Sequence, residues 1–306
     1  MPEQNILVIG AGELGHQVLR FLIAHPRMKG TVSSLLRPGS ISSTSLAKQK
    51  EIDDLRKLGI QLVAGDIVQD SETALVSVFA RFDTVIGCTG FVSGRNTQIK
   101  LTRAVLKAKV TRFIPWQFGV DYDVIGRGST QDIFDEQLDV RDLLRSQSET
   151  SWLIISTGMF TSFLFEPSFG VVDLNNDTVQ ALGGWDNRVT VTTPEDIGKM
   201  TAEMVLEGEV GDVFPCKPVF IGGDTLTYYE VAQLVERVIG RPMKRTVMSV
   251  EKVNAALLKD PDNGLFKYWG VFGQGRGVAW DLSETWNQHR GMKAVTAEEW
   301  ARQNLR

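Results

Sequence analysis

At 306 residues, 42% hydrophobic and 23% charged, the chain has the composition of a soluble globular protein. That length suits one large α/β domain, or a nucleotide-binding domain with a smaller companion. The 33 Lys+Arg against 37 Asp+Glu leave a formal net charge of −4 with no long basic run, which argues against nucleic acid as a partner. Two distant cysteines, Cys88 and Cys216, supply neither a disulfide framework nor a metal motif. No apolar run approaches the roughly 18 residues of a membrane span, and the first residues lack a signal peptide's basic segment. A cytoplasmic protein is expected.

In chain order, Asn5 to Gly10 is a short apolar run, as in a strand buried on both faces. Glu13 to Ala24 follows with Leu14, Val18, Phe21 and Leu22 at helical spacing. Strands at 31–36, 61–64, 83–87, 112–114 and 152–156 then alternate with helices at 48–58, 71–79, 96–108 and 132–146. Repeated βα units with short connections predict a doubly wound parallel sheet of the NAD(P)-binding Rossmann type over residues 1–158. After Gly158 the rhythm changes. A strand at 178–182, a capped helix start at Thr193-Pro-Glu-Asp196, a strand at 219–222 and a helix at 228–239 predict a second, smaller α+β substrate lobe in 159–306. Some of its elements are expected to return to the main sheet.

Gly10-Ala-Gly12-Glu13-Leu14-Gly15 gives a G-x-G-x-x-G pattern between the first strand and first helix. In that context the first glycine allows the turn, the second lets backbone approach a pyrophosphate, and the third lets helix pack on strand. The helix-start N–H groups then bind phosphate. The second strand ends in Leu36-Arg37-Pro38-Gly39-Ser40, without the acid that would accept from a ribose 2′-hydroxyl. A guanidinium suits a 2′-phosphate, so Arg37, with Ser40 or Lys48, predicts NADP(H) over NAD(H).

Further contacts are expected from strand-end loops: Asp66, the stretch Cys88, Thr89, Gly90 and Phe91, then Pro115, Trp116 and Gln117, and finally Met159 and Phe160. Asp66 either accepts from the adenine amino group or caps a turn. Cys88 reads as a small buried filler, having no nearby cation to lower its pKa. Trp116, Phe91, Met159, Phe160, Phe163 and Phe165 suggest an apolar site for a planar small molecule, although Phe163 and Phe165 equally suit a core. The Gly-rich aromatic stretch from Tyr268 to Trp280 is either a mobile lid over the substrate or an irregular surface or oligomer contact.

Several chemistries are not supported. His16, His25 and His289 pair with no nucleophile and have no metal-ligand spacing. Tyr122, Tyr228, Tyr229 and Tyr268 are followed four residues on by Gly126, Ala232, Gln233 and Phe272, so the usual short-chain reductase Tyr–Lys dyad is absent.

Three stretches together carry a family resemblance: Thr97-Gln98-Ile-Lys-Leu-Thr-Arg-Ala, Arg112-Phe-Ile-Pro-Trp-Gln-Phe-Gly119 and Phe134-Asp-Glu-Gln-Leu-Asp-Val-Arg141. The chain resembles the isoflavone-reductase-like, phenylcoumaran benzylic ether reductase and NmrA-like group of atypical short-chain reductases. That resemblance implies an NADPH-dependent oxidoreductase of small phenolic or unsaturated substrates, with Gln98 and the 115–117 loop beside the cofactor. Two departures stand out. The family's catalytic lysine falls on Gln137, and the glutamate of its P-S-E-F-G pattern falls on Gln117. An amide has no titratable proton, so the lysine mechanism is not expected here. Gln137, Gln117 and Tyr122 are the candidates to orient the acceptor, with water or Tyr122 as proton source. Three readings stay open: a reductase, an NADP(H)-binding sensor of the NmrA type, and a redox-neutral isomerase. Monomer and homodimer are both open.

Overall fold

The structure is a computed structural model that describes residues 3–206 and 214–305. Its first half runs β1 (Gln4–Ile9), α1 (Glu13–Ala24), β2 (Gly30–Leu36), α2 (Pro38–Ile41), α3 (Leu46–Lys57), β3 (Gln61–Ala64), α4 (Glu72–Phe79) and β4 (Thr84–Gly87). It continues with α5 (Thr97–Lys107), β5 (Arg112–Ile114), α6 (Tyr122–Ile125), α7 (Ile133–Arg145) and β6 (Ser151–Ser156). The expected elements of this half are present within two residues of their expected ends. Apolar runs such as Ile6 to Ile9 became strands because both of their faces are covered, at 0–1% exposure.

The second half adds β7 (Met159–Phe160), α8 (Thr161–Leu164), β8 (Val172–Asp173), β9 (Thr178–Leu182), β10 (Arg188–Thr192), α9 (Pro194–Leu206) and β11 (Lys217–Phe220). Then come β12 (Asp224–Thr227), α10 (Tyr228–Ile239), β13 (Lys244–Met248), α11 (Val250–Leu257), α12 (Gly264–Gln274), α13 (Trp286–His289) and α14 (Ala297–Asn304). Helices α10 and α14 each begin with a reciprocal capping box, Thr227 with Glu230 and Thr296 with Glu299.

Among the described residues the main sheet has seven strands in the order β11-β6-β5-β4-β1-β2-β3. The pairs β1–β2, β1–β4, β2–β3, β4–β5 and β5–β6 are parallel. The strand order reverses at β1, so β1 and β4 flank the switch point where such sheets bind ligands. A core of Leu7, Ile9, Val85, Phe113 and Ile154 packs against Leu75, Phe79, Leu101, Val105, Val140 and Leu144 from α4, α5 and α7. The buried Arg112 stitches this layer: Nε donates to Thr84 Oγ1, Nη1 to the Val205 carbonyl and Nη2 to Gln4 Oε1.

The chain divides into two compact units, one of residues 1–117, 139–155 and 197–218, the other of 118–138, 156–196 and 219–306. The second unit holds two small sheets, β12-β10-β7 and β13-β9-β8. The Tyr268–Trp280 stretch begins in a helix and becomes irregular only after Gln274. Residues 264–274 are the helix α12, with Trp269 to Gly273 buried. Its glycines serve contact rather than mobility: a Cβ on Gly270 would stand 2.4 Å from Thr130 Oγ1. Trp269 Nε1 donates to the Phe169 carbonyl at 2.8 Å, pinning the same helix on its other flank.

Candidate active site

The turn between β1 and α1 is built around three glycines that do different work. Gly10 has φ +94°, and a Cβ there would stand 2.7 Å from Thr89 Oγ1. A Cβ on Gly15 would lie 2.3 Å from the Gly10 carbonyl oxygen, so this glycine lets α1 close onto the turn. Gly12 differs: nothing lies within 4 Å of its Cβ position. It caps α1 without a side chain, leaving backbone free to approach a ligand at the helix start.

In the first unit a cleft of about 780 Å³ opens over these strand ends, which is the right scale for a nucleotide. Of the residues singled out in the sequence, Gly10, Gly12, Glu13, Arg37, Ser40, Asp66, Cys88, Thr89 and Gly90 line it. Leu14 and Gly15 lie behind its wall, buried in α1. His16, Gln17, Ile67 and Ser93 also line it, though the sequence offered no reason to pick them.

Arg37 follows β2 on the cleft rim, exposed, and among the described residues its guanidinium makes no hydrogen bond. Lys48 is paired with Glu51 on the surface, an ion pair of small energetic weight. Arg37 is therefore the cation best placed for a second phosphate. Arg37→Ala is expected to weaken NADPH binding about 30-fold and leave NADH binding unchanged, the scale of a lost charge-assisted contact. Calorimetric titration of both nucleotides measures it, and equal losses for the two would remove Arg37 from the selectivity argument.

Asp66 does the turn-capping that competed with adenine binding. Its Oδ1 accepts from the Val68 and Gln69 N–H groups at 2.9 and 3.1 Å. Those two backbone donors, then the positive charges of Arg37 and Lys100, hold its carboxyl below the usual range. Lys100 Nζ donates to the carbonyls of Val68 and Asp70, so the loop after β3 is fixed from both sides.

The loop after β4 is equally constrained. Thr89 Oγ1 donates to the Ile9 carbonyl at 2.9 Å, and the buried Gln98 donates from Nε2 to the Thr89 carbonyl at 2.9 Å. Gln98 thus acts on the cleft through the loop it holds. Burial pushes the Cys88 thiol up, as suits a filler. Trp116, from the loop after β5, lays its indole on this loop: a Cβ on Gly90 would meet Cζ2, Cε2 and Cη2 at 2.9, 3.3 and 3.4 Å. Phe91 stands edge-on to the same indole, with centroids 4.7 Å apart. Pro115 is buried beneath, and Gly87 leaves room for the Trp116 backbone.

The three residues proposed to handle the acceptor are closed to solvent: Gln117 and Gln137 at 0% and Tyr122 at 2% exposure. In the first unit, Gln117 Oε1 accepts from Nε of the fully buried Arg141 at 2.8 Å. Arg141 was visible in the sequence only as the end of a motif. The signal for its burial is its place on the Phe134, Leu138, Leu144 stripe of α7. In the second unit, Asp121 caps α6 by accepting from Asp123 N–H, and the Tyr122 ring stands edge-on to Phe134 at 4.9 Å. Tyr268 joins the same cluster, 5.9 Å from Phe134, and burial pushes its phenol up to about 12. Met159 is buried in β7 and Phe160 half-buried beside it, paired in parallel with β10. Phe165 stacks on Trp300 as core, whereas Phe163 is 38% exposed.

Among the described residues no cluster of His, Cys, Asp or Glu could hold a metal ion, and no helix is long and apolar enough to cross a membrane.

Comparison with known proteins places this architecture. The NmrA-like family matches residues 2–279. An NmrA-like family domain-containing oxidoreductase of Gibberella moniliformis is 44% identical over 300 residues, covering 97% of this chain and 96% of its own. The crystal structure of an isoflavone reductase superposes with a TM-score of 0.79 at 23% identity, covering 99% of both chains. A leucoanthocyanidin reductase–NADPH complex from Vitis vinifera gives 0.78 at 23% identity, covering 97% of each.

Proposed function

The chain belongs to the NmrA-like family, and on that premise we propose that it is an NADPH-dependent reductase of small planar aromatic or unsaturated acceptors. The observation that carries this reading is the cleft over β1, β2 and β4, with Gly12 open at the helix start and an exposed Arg37 at its rim. The residues present fit an NADP(H) there. Gly12 and the first turn of α1 take the pyrophosphate, Arg37 and Ser40 the 2′-phosphate, and Thr89 and Gly90 the central ribose side. The named relatives, an oxidoreductase and reductases, one of them holding NADPH, support the assignment.

When bound, the nicotinamide supplies the hydride; the protein supplies orientation and electrostatics. Gln117 and Gln137 carry no titratable proton, so they orient by hydrogen bonds and the proton comes from water or from the Tyr122 hydroxyl. This predicts a turnover without the family's lysine step.

The burial of Gln117, Gln137 and Tyr122 favours a second reading, a sensor that binds NADP(H) without turning over. An acceptor touches those groups only after neighbouring side chains part. The two readings separate in one assay: NADPH consumption by the purified protein with aromatic ketones, enones, quinones and benzylic ethers. Turnover of any class supports the reductase. Tight NADPH binding with no turnover across the panel leaves the sensor.

A further inference from the structure

The cleft of the first unit is lined by two cations, Arg37 and Lys48, and by four carboxylates, Glu13, Glu51, Asp54 and Asp66. Such a lining works against a dinucleotide, which brings negative charge of its own. Helix α3 supplies part of it. Ile52 and Leu55 are the buried residues of α3, and both also line the cleft. Lys48 stands four and seven residues before them, so the same helix face carries it to the cleft wall. Glu51 lies one turn on, and its Oε2 accepts from Lys48 Nζ. This pair does little for the helix. Lys48 is in the first turn, where the helix dipole disfavours a cation, and lysine before glutamate is the poorer order. Both side chains are open to water, at 41% and 60% exposure, which keeps the pair weak. Two other acids of the lining are engaged differently. Asp66 accepts from the Val68 and Gln69 N–H groups, and Asp54 pairs with Lys57, outside the lining. Glu51 instead holds a cation of the cleft itself.

We propose that Glu51 competes with the nucleotide's 2′-phosphate for Lys48 and so keeps NADP(H) exchangeable. The proposal rests on the NADP(H) reading of the cleft and not on turnover. Lys48 belongs to the wall that also carries Arg37 and Ser40, the residues assigned to the 2′-phosphate. A lysine ammonium on its flexible stem can pass from a carboxylate to a phosphate without any change of backbone. The phosphate carries more charge than the carboxylate, so NADPH takes the lysine. The ion pair broken in doing so subtracts from the affinity. NADH has no phosphate at that position and leaves the pair intact. Both oxidation states of NADP(H) carry the 2′-phosphate, so both are weakened alike. For a reductase that hastens release of NADP⁺ after each turnover; for a sensor it lets occupancy follow the nucleotide level.

Calorimetric titrations with NADPH, NADP⁺ and NADH compare wild type, Glu51→Gln, Lys48→Met and the double variant at low salt. Glutamine and methionine are good helix formers, so both substitutions keep α3. Glu51→Gln is expected to tighten NADPH and NADP⁺ about three- to fivefold, the scale of one exposed ion pair, and to leave NADH unchanged. Lys48→Met is expected to weaken NADPH about tenfold, the scale of a lost charge-assisted contact. In that background the gain from Glu51→Gln is expected to fall below about 1.5-fold, since nothing is left to compete for. A gain below about 1.5-fold in Glu51→Gln alone overturns the proposal. So does an equal gain with and without Lys48, because Glu51 then acts on the nucleotide directly. Tightening of NADH to the same extent also overturns it, because the 2′-phosphate is then not involved. If wild type binds neither NADPH nor NADP⁺, the NADP(H) reading has failed and the proposal falls with it. If wild type binds both and Glu51→Gln has no effect, that reading stands and the proposal alone falls.

Discussion

Gly12→Ala is expected to abolish useful NADPH binding in a protein that folds normally, and Gly15→Ala to damage the fold as well. The two glycines sit three residues apart in one motif, yet their surroundings differ. Around Gly12 there is open space, so a methyl group clashes with nothing in the protein and only with a ligand brought up to the helix start. Holding a pyrophosphate a methyl's width away forfeits charge-assisted hydrogen bonds from the first turn of α1. A loss of about 100-fold, or ~2.8 kcal/mol, is expected. At Gly15 the methyl meets the Gly10 carbonyl at 2.3 Å, with the Cys88 side chain at 3.2 Å behind it. Backbone must move, and overpacking of this kind costs about 1–3 kcal/mol. Thermal melts and calorimetric NADPH titrations separate the cases. Wild-type affinity in Gly12→Ala would mean that the phosphates are not held at this turn.

Gln137→Lys, the substitution that restores the family residue, is expected to destabilise the protein by about 3 kcal/mol and to create no activity. The position is closed to solvent, and an ammonium placed there loses its hydration. Burial lowers the folded-state pKa of such a lysine below its unfolded value. At neutral pH the unfolded chain then binds the extra proton more fully than the folded one. Stability consequently rises with pH, and the deficit against wild type shrinks as pH climbs through the folded-state pKa toward the ordinary lysine value. Gln137→Met, of similar shape and uncharged, is expected to stay within about 1.5 kcal/mol of wild type. Denaturant melts of the three proteins at several pH values provide the check. A Gln137→Lys protein as stable as wild type, with new turnover, would show that the lysine chemistry was only one residue away.

The nucleotide half of the molecule could be read from the chain because its logic is local. A buried strand, a glycine turn and an amphipathic helix are contiguous, and Arg37 follows directly on the next strand. The second unit resisted for the opposite reason. Strands of two residues, such as β7 and β8, leave no periodicity to detect, and the partner of β7 lies far away in sequence. The stretch from Tyr268 stays ambiguous in the sequence because glycine signals mobility in isolation, whereas Gly270 and Gly273 sit where a helix meets Thr130 and Gly183. Gln137 shows a further limit. Its identity was informative at once, but its burial became apparent only with the other residues of α7, where Gln137 and Arg141 stand on the apolar stripe.

The interleaving of the two units bears on how the protein is made. The chain passes from one unit to the other at 117/118, 138/139, 155/156, 196/197 and 218/219. Neither unit is therefore one continuous segment of chain, and the first is complete only once residue 218 has been made. The edge strand β11 begins at Lys217, long after its neighbour β6 has ended at Ser156. At roughly 5–20 residues per second, the ribosome leaves that edge of the sheet uncovered for several seconds. During that interval the nascent chain presents β6 as an unpaired template, the kind of edge to which other strands add. A chaperone engaging the emerging chain would find its target there, before β11 closes that edge of the sheet.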